Sequence, residues 1–146
     1  MTIIVTDTGF GEDLLAGELR TLTLDALQAA DQHDLPGEFA LAIGNDVDAD
    51  EIAPFFAWIR LITIAFPSFQ DGRGFSLARR LRQAGYRGKL RACGHVIADQ
   101  YAHARRVGFE EIEIADDLAV RQPEAQWLAR AGWRNHFYQK RLQAGA

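Results

Sequence analysis

From residue 38 onward, short apolar runs and helix-like stretches take turns along this chain. That alternation restricts the fold more than any other feature. Residues 38–44 (EFALAIG) follow the Leu35-Pro36-Gly37 turn and read as a strand. Residues 48–58 read as a helix, with Asp48 as N-cap and Glu51 three residues later. Residues 60–66 (RLITIAF) form the most apolar run and are expected at the centre of a sheet. A helix over 75–84 stops at Gly85, a strand covers 89–93, and a helix over 97–107 stops at Gly108. Residues 111–115 are the last strand. After Asp116-Asp117 comes a helical tail with Trp127, Trp133 and Phe137 as anchors. Strands separated by helices pair in parallel through right-handed crossovers.

Side-chain alternation narrows the architecture. In residues 89–93, Leu90 and Ala92 share one face while Arg91 and Cys93 share the other. In residues 111–114, Ile112 and Ile114 oppose Glu111 and Glu113. Neighbouring strands of this kind give a sheet with one apolar and one polar face, and Arg91 near the glutamates across strands. Helices then pack on a single face. The expected fold is α/β: a parallel sheet of βα repeats, a singly wound open sheet or half of a (β/α)-barrel. The polar reverse face needs a shield: the N-terminal segment, the tail or a second subunit. Residues 3–6 read as a strand, Gly9 and Gly11 as a turn, and Thr23 as the cap of a helix over 24–33. An N-terminal hairpin covering a sheet edge fits this start. The 146 residues suit one domain, 1–146.

Apolar residues make up 48% of the chain and charged residues 25%, which is ordinary globular composition. No apolar run approaches the ~20 residues of a membrane span, and the N-terminus lacks the layout of a signal peptide. The single cysteine, Cys93, excludes an internal disulfide and a cysteine-built zinc site. These features favour the cytoplasm. The net charge of −4 hides an asymmetry. Residues 1–70 carry two basic and twelve acidic side chains, whereas residues 71–107 carry nine basic and two acidic. The basic zone is either a solvated face or a surface for an anionic ligand or acidic partner. Nucleic-acid binding is not expected, since the chain is acidic overall and shows no nucleic-acid motif.

Ligands of parallel α/β proteins sit beyond the carboxyl ends of the strands. Four turns fall there: Asn45-Asp46, residues 68–74, Gly94-His95 and Asp116-Asp117. Asp71, Gly72, Arg73, Gly74 and Ser76 open a helix and form a candidate anion site. Its glycines free the backbone, the helix start offers N–H groups, and Arg73 supplies a forked donor. The competing reading is a tight turn with Asp71 as helix cap. No dinucleotide fingerprint is present, since Gly72-Arg73-Gly74 is followed by Leu77 and no acid stands at the ribose position. There is no P-loop, and no cofactor is expected.

His95, Asp99 and His103 are spaced by four residues. On a helix this brings Asp99 near each histidine, so His95 is a candidate acid–base group with Asp99 orienting it. The alternative is a capping Asp99 between exposed histidines. The two histidines are two turns apart, roughly 12 Å, too far to chelate one ion, so no metal is expected. Cys93 reads as a small core or edge residue rather than a nucleophile. Phe66-Pro67-Ser68-Phe69 either walls a pocket or docks the next helix.

Residues 66–114, FPSFQDGRGFSLARRLRQAGYRGKLRACGHVIADQYAHARRVGFEEIEI, carry F-P-x-F-x-D-G-R-G, A-R-x-L-R, G-Y-x-G, L-R-A-x-G, D-Q and G-F in order. This stretch resembles the proteobacterial family called domain of unknown function 934. It departs at Phe75, where Tyr is common, and in a longer tail after Trp133. Members are often labelled oxidoreductases and commonly lie beside assimilatory sulfite reductase genes. The resemblance implies a role near sulfite reduction or sulfur assimilation, with a sulfite reductase component as partner. It carries no catalytic residues over. The oxidoreductase label gains nothing from this chain, which lacks a dinucleotide fingerprint, a CxxC pair and an iron–sulfur cysteine set. The leading expectation is an accessory protein that binds an oxyanion or a partner protein. The alternatives are a small enzyme using His95 and Asp99 on an anionic substrate held by Arg73, and a structural homodimer joined through its charged sheet face.

Overall fold

A computed structural model describes residues 2–15, 17–30, 35 and 37–134. Its strands are β1 (Thr2–Thr6), β2 (Gly9–Gly11), β3 (Thr21–Thr23), β4 (Phe39–Ile43), β5 (Ile59–Phe66), β6 (Lys89–Gly94) and β7 (Glu111–Ala115). Its helices are α1 (Leu24–Ala29), α2 (Ala49–Ile52), α3 (Arg73–Gln83), α4 (Tyr101–Val107), α5 (Asp116–Arg121) and α6 (Glu124–Leu128). Among the described residues the strands build one seven-stranded sheet in the order β2-β1-β7-β6-β5-β4-β3. Strands β3 to β7 are parallel neighbours in chain order. Each crossover therefore moves one strand in the same direction, and equal handedness puts the helices on one face. This is the expected singly wound α/β sheet. It is open, with β2 and β3 at its edges.

The apolar alternation fills the core as expected. Ile62, Ile64, Leu90, Ala92, Ile112 and Ile114 are wholly buried. Leu77, Leu81, Tyr101 and Phe109 are also wholly buried. Each such large side chain contributes about 1.5–3 kcal/mol by leaving water. Phe66, Phe75 and Phe109 meet as a ring cluster, with centroids 4.9 Å apart for the first two and 5.8 Å for Phe66 and Phe109. The most apolar strand, β5, is the middle of the five parallel strands.

The reverse face carries the polar set. The Arg91 guanidinium, in a residue only 4% exposed, donates to Glu111 (2.8 Å), Glu113 (3.1 Å) and Asp13 (2.9 and 3.0 Å). The cross-strand contact read from alternation is therefore present. Asp13 comes from the segment after β2, so the N-terminal part of the chain shields this face.

The N-terminal hairpin is present and covers an edge: β1 pairs antiparallel with β7 on one side and with β2 on the other. Its turn falls at Asp7-Thr8, and the two glycines belong to β2. Asp7 receives the Tyr101 hydroxyl, the Arg105 guanidinium (3.2 Å) and the Trp133 indole (3.4 Å). Glu124 receives the Phe10 N–H at 2.7 Å. The hairpin is thus bound to α4, α6 and the chain beyond.

Several elements differ from expectation. Thr21–Thr23 forms a strand, while the Thr23 side chain still caps α1 by accepting from the Ala26 N–H (3.2 Å). Asp48 caps α2 as expected (3.0 Å), but the helix tightens to a 3₁₀ form over Ala53–Trp58. Pro54 has no N–H to continue the α pattern. The expected helix over 97–107 starts as a 3₁₀ turn at Ala98–Gln100 before α4. Pro123 divides the tail into α5 and α6. Trp127 is buried, donates to the Gln122 carbonyl (2.9 Å) and meets Tyr101 edge to face. Phe137 and residues 31–33 of the expected first helix lie outside the described residues.

Candidate functional site

The strand ends bring together Asn45, after β4, and the loop after β5. Asn45 is nearly buried and donates its amide to Asp71 Oδ2 at 2.9 Å. Arg73 closes a fork on the same carboxylate, Nε to Oδ1 at 3.0 Å and Nη2 to Oδ2 at 2.9 Å. The Arg73 backbone N–H adds a third donation, at 3.2 Å. Arg73 first, then Asn45, holds the Asp71 carboxyl well below the usual carboxylate range. The forked donor of the candidate anion site is therefore engaged by the carboxylate of its own turn. Gly74 has a packing reason to be glycine: a Cβ there would stand 2.4 Å from the Phe66 ring. Gly72 is open by comparison, its nearest neighbour being the Phe75 ring at 3.8 Å.

Ser76 belongs to a different surface. With Arg79 and Arg80 it occupies one face of α3 by the i, i+3, i+4 rule. Across from it, α4 presents His103. Gly72, Phe75 and Val107 complete the lining of a groove of about 350 Å³, and no carboxylate is in that lining. His103 lies edge-on to Phe75, centroids 4.7 Å apart. Burial, and then the charges of Arg79 and Arg106, push its imidazole below the ordinary histidine value. Those two arginines therefore set a positive potential at the ring.

The remaining arginines of the basic zone divide by role. Arg82 donates to the carbonyls of Gly108 (2.8 Å), Tyr86 (3.1 Å) and Gly88 (2.7 Å), and to Glu110 (3.2 Å). Arg105 holds Asp7 and the Phe109 carbonyl (2.7 Å). With Arg91 under Asp13, these three tie strands, loops and hairpin together. The Cys93 thiol donates to Glu113 Oε2 at 3.2 Å. Burial first, and then the Glu113 charge, push it up to about 12, so it stays protonated and poorly nucleophilic near neutrality.

His95 sits in the turn after β6, three residues before the 3₁₀ start, rather than on the helix. Its N–H donates to the Phe66 carbonyl at 2.9 Å. Gly94 makes this possible: its φ is +114°, and a Cβ would meet the Phe66 oxygen at 2.8 Å. Asp99 gives its carboxylate to Arg130 at 2.8 Å. The spacing of four that pairs His95 with Asp99 on a helix does not bring them together here. His95 instead borders a cleft of about 470 Å³ with Phe69, Ile97, Leu118, Arg121 and Gln122. Among the described residues no group of three or more His, Cys, Asp and Glu is arranged to hold a metal ion. None of their helices is long and apolar enough to cross a membrane.

Three of these neighbours are set by tertiary packing and leave no local signal in the sequence. Arg121 approaches His95 only through the packing of α5 beside the β6 turn. Arg130 reaches Asp99 across 31 residues. His103 joins Ser76 and Arg79 only because α3 and α4 are adjacent. The turn list pointed to Asn45, but not to its bond with Asp71.

Comparison with protein families matches residues 40–145 to the family described as Bacterial protein of unknown function (DUF934). The chain belongs to this family. The match takes in β4 from Ala40 onward, β5 to β7 and every residue of the groove and the cleft, whereas β1 to β3 precede it. No curated protein matches the chain.

Proposed function

We propose that this DUF934 protein is a cytoplasmic accessory factor of sulfite reduction or sulfur assimilation that binds an oxyanion in the groove between α3 and α4. The observation that carries the proposal is the groove's lining. Arg79, Arg80, the Ser76 hydroxyl and His103 converge there without a lining carboxylate. Arginine guanidinium and serine hydroxyl groups are donors suited to sulfur and phosphorus oxyanions. The groove's concavity favours a small anion over a flat protein face. The sulfur context comes from the resemblance to proteins beside sulfite reductase genes. That resemblance makes a sulfite reductase component the natural partner for the surrounding basic surface.

Isothermal titration with sulfite, sulfate and phosphate tests the site. Binding is expected in the wild type, and an R79A/R80A double variant should weaken it by about tenfold or more, since a hydrogen bond to a charged group contributes about 1.5–3 kcal/mol. Both arginines are exposed, so the fold should persist. Absence of binding by all three anions overturns the reading. The pH dependence has a definite sign. An anion beside His103 raises an imidazole value that is lowered in the free protein, so sulfate should bind more tightly as pH falls from 8 to 6. Sulfate keeps its charge over this range, so the change reports on the protein. A pull-down with sulfite reductase tests the partner separately.

A further inference from the structure

The cleft at the ends of β5, β6 and β7 differs from the α3–α4 groove in chemistry. Phe69, Ile97 and Leu118 give it apolar walls, and its ionisable lining residues are His95 and Arg121. Phe69 is 50% exposed, so an aromatic ring faces solvent at the mouth. The walls are fixed by amide clamps. Gln100 donates to the Phe69 carbonyl (2.8 Å) and accepts from the Ile97 N–H (3.0 Å). Gln122 accepts from the Ala98 N–H at 2.6 Å. Both amide side chains are thereby used in holding the shape. The polar side chains lining the cleft are the Arg121 guanidinium, the Gln122 amide, whose oxygen is held by Ala98, and the His95 imidazole, which offers an N–H in either protonation state. Among the described residues Arg121 has a long contact with Asp117, 3.5 Å between two exposed groups. Such a pair is worth little, so the guanidinium can turn to a ligand at small cost. The volume, about 470 Å³, is within the range of small-molecule sites. The position, beyond the carboxyl ends of parallel strands, is where such sheets bind ligands.

We infer that this cleft binds a small organic anion with an apolar body, in class an aryl or alkyl carboxylate or sulfonate. The apolar part lies against Phe69, Ile97 and Leu118, and the acid group meets Arg121 and His95. This goes beyond the oxyanion groove, because a bare oxyanion has nothing to place on the apolar walls.

The test is a ¹H–¹⁵N chemical-shift titration of the full chain with phenylacetate, hexanoate and benzenesulfonate. At least one should give saturable shifts at Phe69, His95, Ile97, Leu118 and Arg121 by about 10 mM. Acetate, which has the charge alone, and benzyl alcohol, which has the ring alone, should each bind about tenfold more weakly. R121Q and F69A should each weaken the best binder by about tenfold, and both sites are exposed enough for the fold to tolerate the change. The inference is overturned if none of the three probes shifts these residues, if the shifts fall elsewhere, or if R121Q binds as the wild type does. Inorganic phosphate, run in parallel, should shift Ser76, Arg79, Arg80 and His103 instead. Failure of that arm alone removes the groove reading and leaves this one standing.

Discussion

Arg91 shows how much of the basic segment is architecture. It is buried on the reverse face with Asp13, Glu111 and Glu113 around it. Burial works against its charge, but Asp13 and Glu111 outweigh it and raise the guanidinium above its ordinary value. Removing the cation takes the shared donor from the buried Glu111 and the half-buried Asp13 and Glu113, leaving Glu111 the longer Lys89 contact at 3.6 Å. Breaking a buried pair by removing one partner costs about 3–5 kcal/mol. Urea denaturation of Arg91→Met should show a loss of that size, and Arg91→Lys should restore only part of it because the fork is gone. An Arg91→Met variant as stable as the wild type would refute this role. Alternation in the strand was enough to place Arg91 beside the glutamates. The position of Asp71 was less legible. An acid two residues before an arginine in a turn can cap a helix or leave the arginine free for a ligand, and backbone rotation decides which. Here the turn brings three Arg73 donations and the Asn45 amide onto one carboxylate. The same limit applied to Asp99, whose partner Arg130 is remote in sequence.

At the scale of elements, the strands were readable wherever alternation had room to appear. β4 to β7 fall within a residue or two of their expected bounds. β3 is Thr-Leu-Thr, too short to display a period, and it belongs to the sheet because it finds β4 beside it. Helices depart from their expected form at Pro54 and Pro123, where proline removes a donor, and at Ala98–Gln100, where the chain starts as a 3₁₀ turn. The hairpin makes a separate prediction. Burial opposes ionisation of Asp7, but its bonds to Tyr101 and Arg105 win and lower its value below 3.8. A carboxylate with a depressed folded value stabilises fully above its unfolded value. That stabilisation is lost as pH falls through the folded value. Asp7→Asn should therefore be less stable than the wild type at pH 7 by at most about 1 kcal/mol, because the Asp7 carboxylate is partly exposed and solvent screens its ion pair with Arg105. The difference should shrink on acidification below pH 3.8. Thermal unfolding of both proteins at pH 7 and pH 3 measures it, and a constant gap would contradict the assignment.

For the whole molecule, charge along the chain does not equal charge on the surface. The segment 71–107 carries nine basic residues. Arg82, Arg91 and Arg105 are turned to carbonyls and carboxylates that close the fold, and Arg73 is turned to Asp71. Arg79 and Arg80 instead line the α3–α4 groove, assembled from two helices whose contact no local pattern announces. On the proposed function an anion binds in this groove and not at the Asp71–Arg73 turn. A ¹⁵N chemical-shift titration of the wild-type protein with sulfite tests it most directly. Saturable shifts are expected at Ser76, Arg79, Arg80 and His103. Saturable shifts confined to Asp71, Gly72 and Arg73, or no shifts at all, would contradict it.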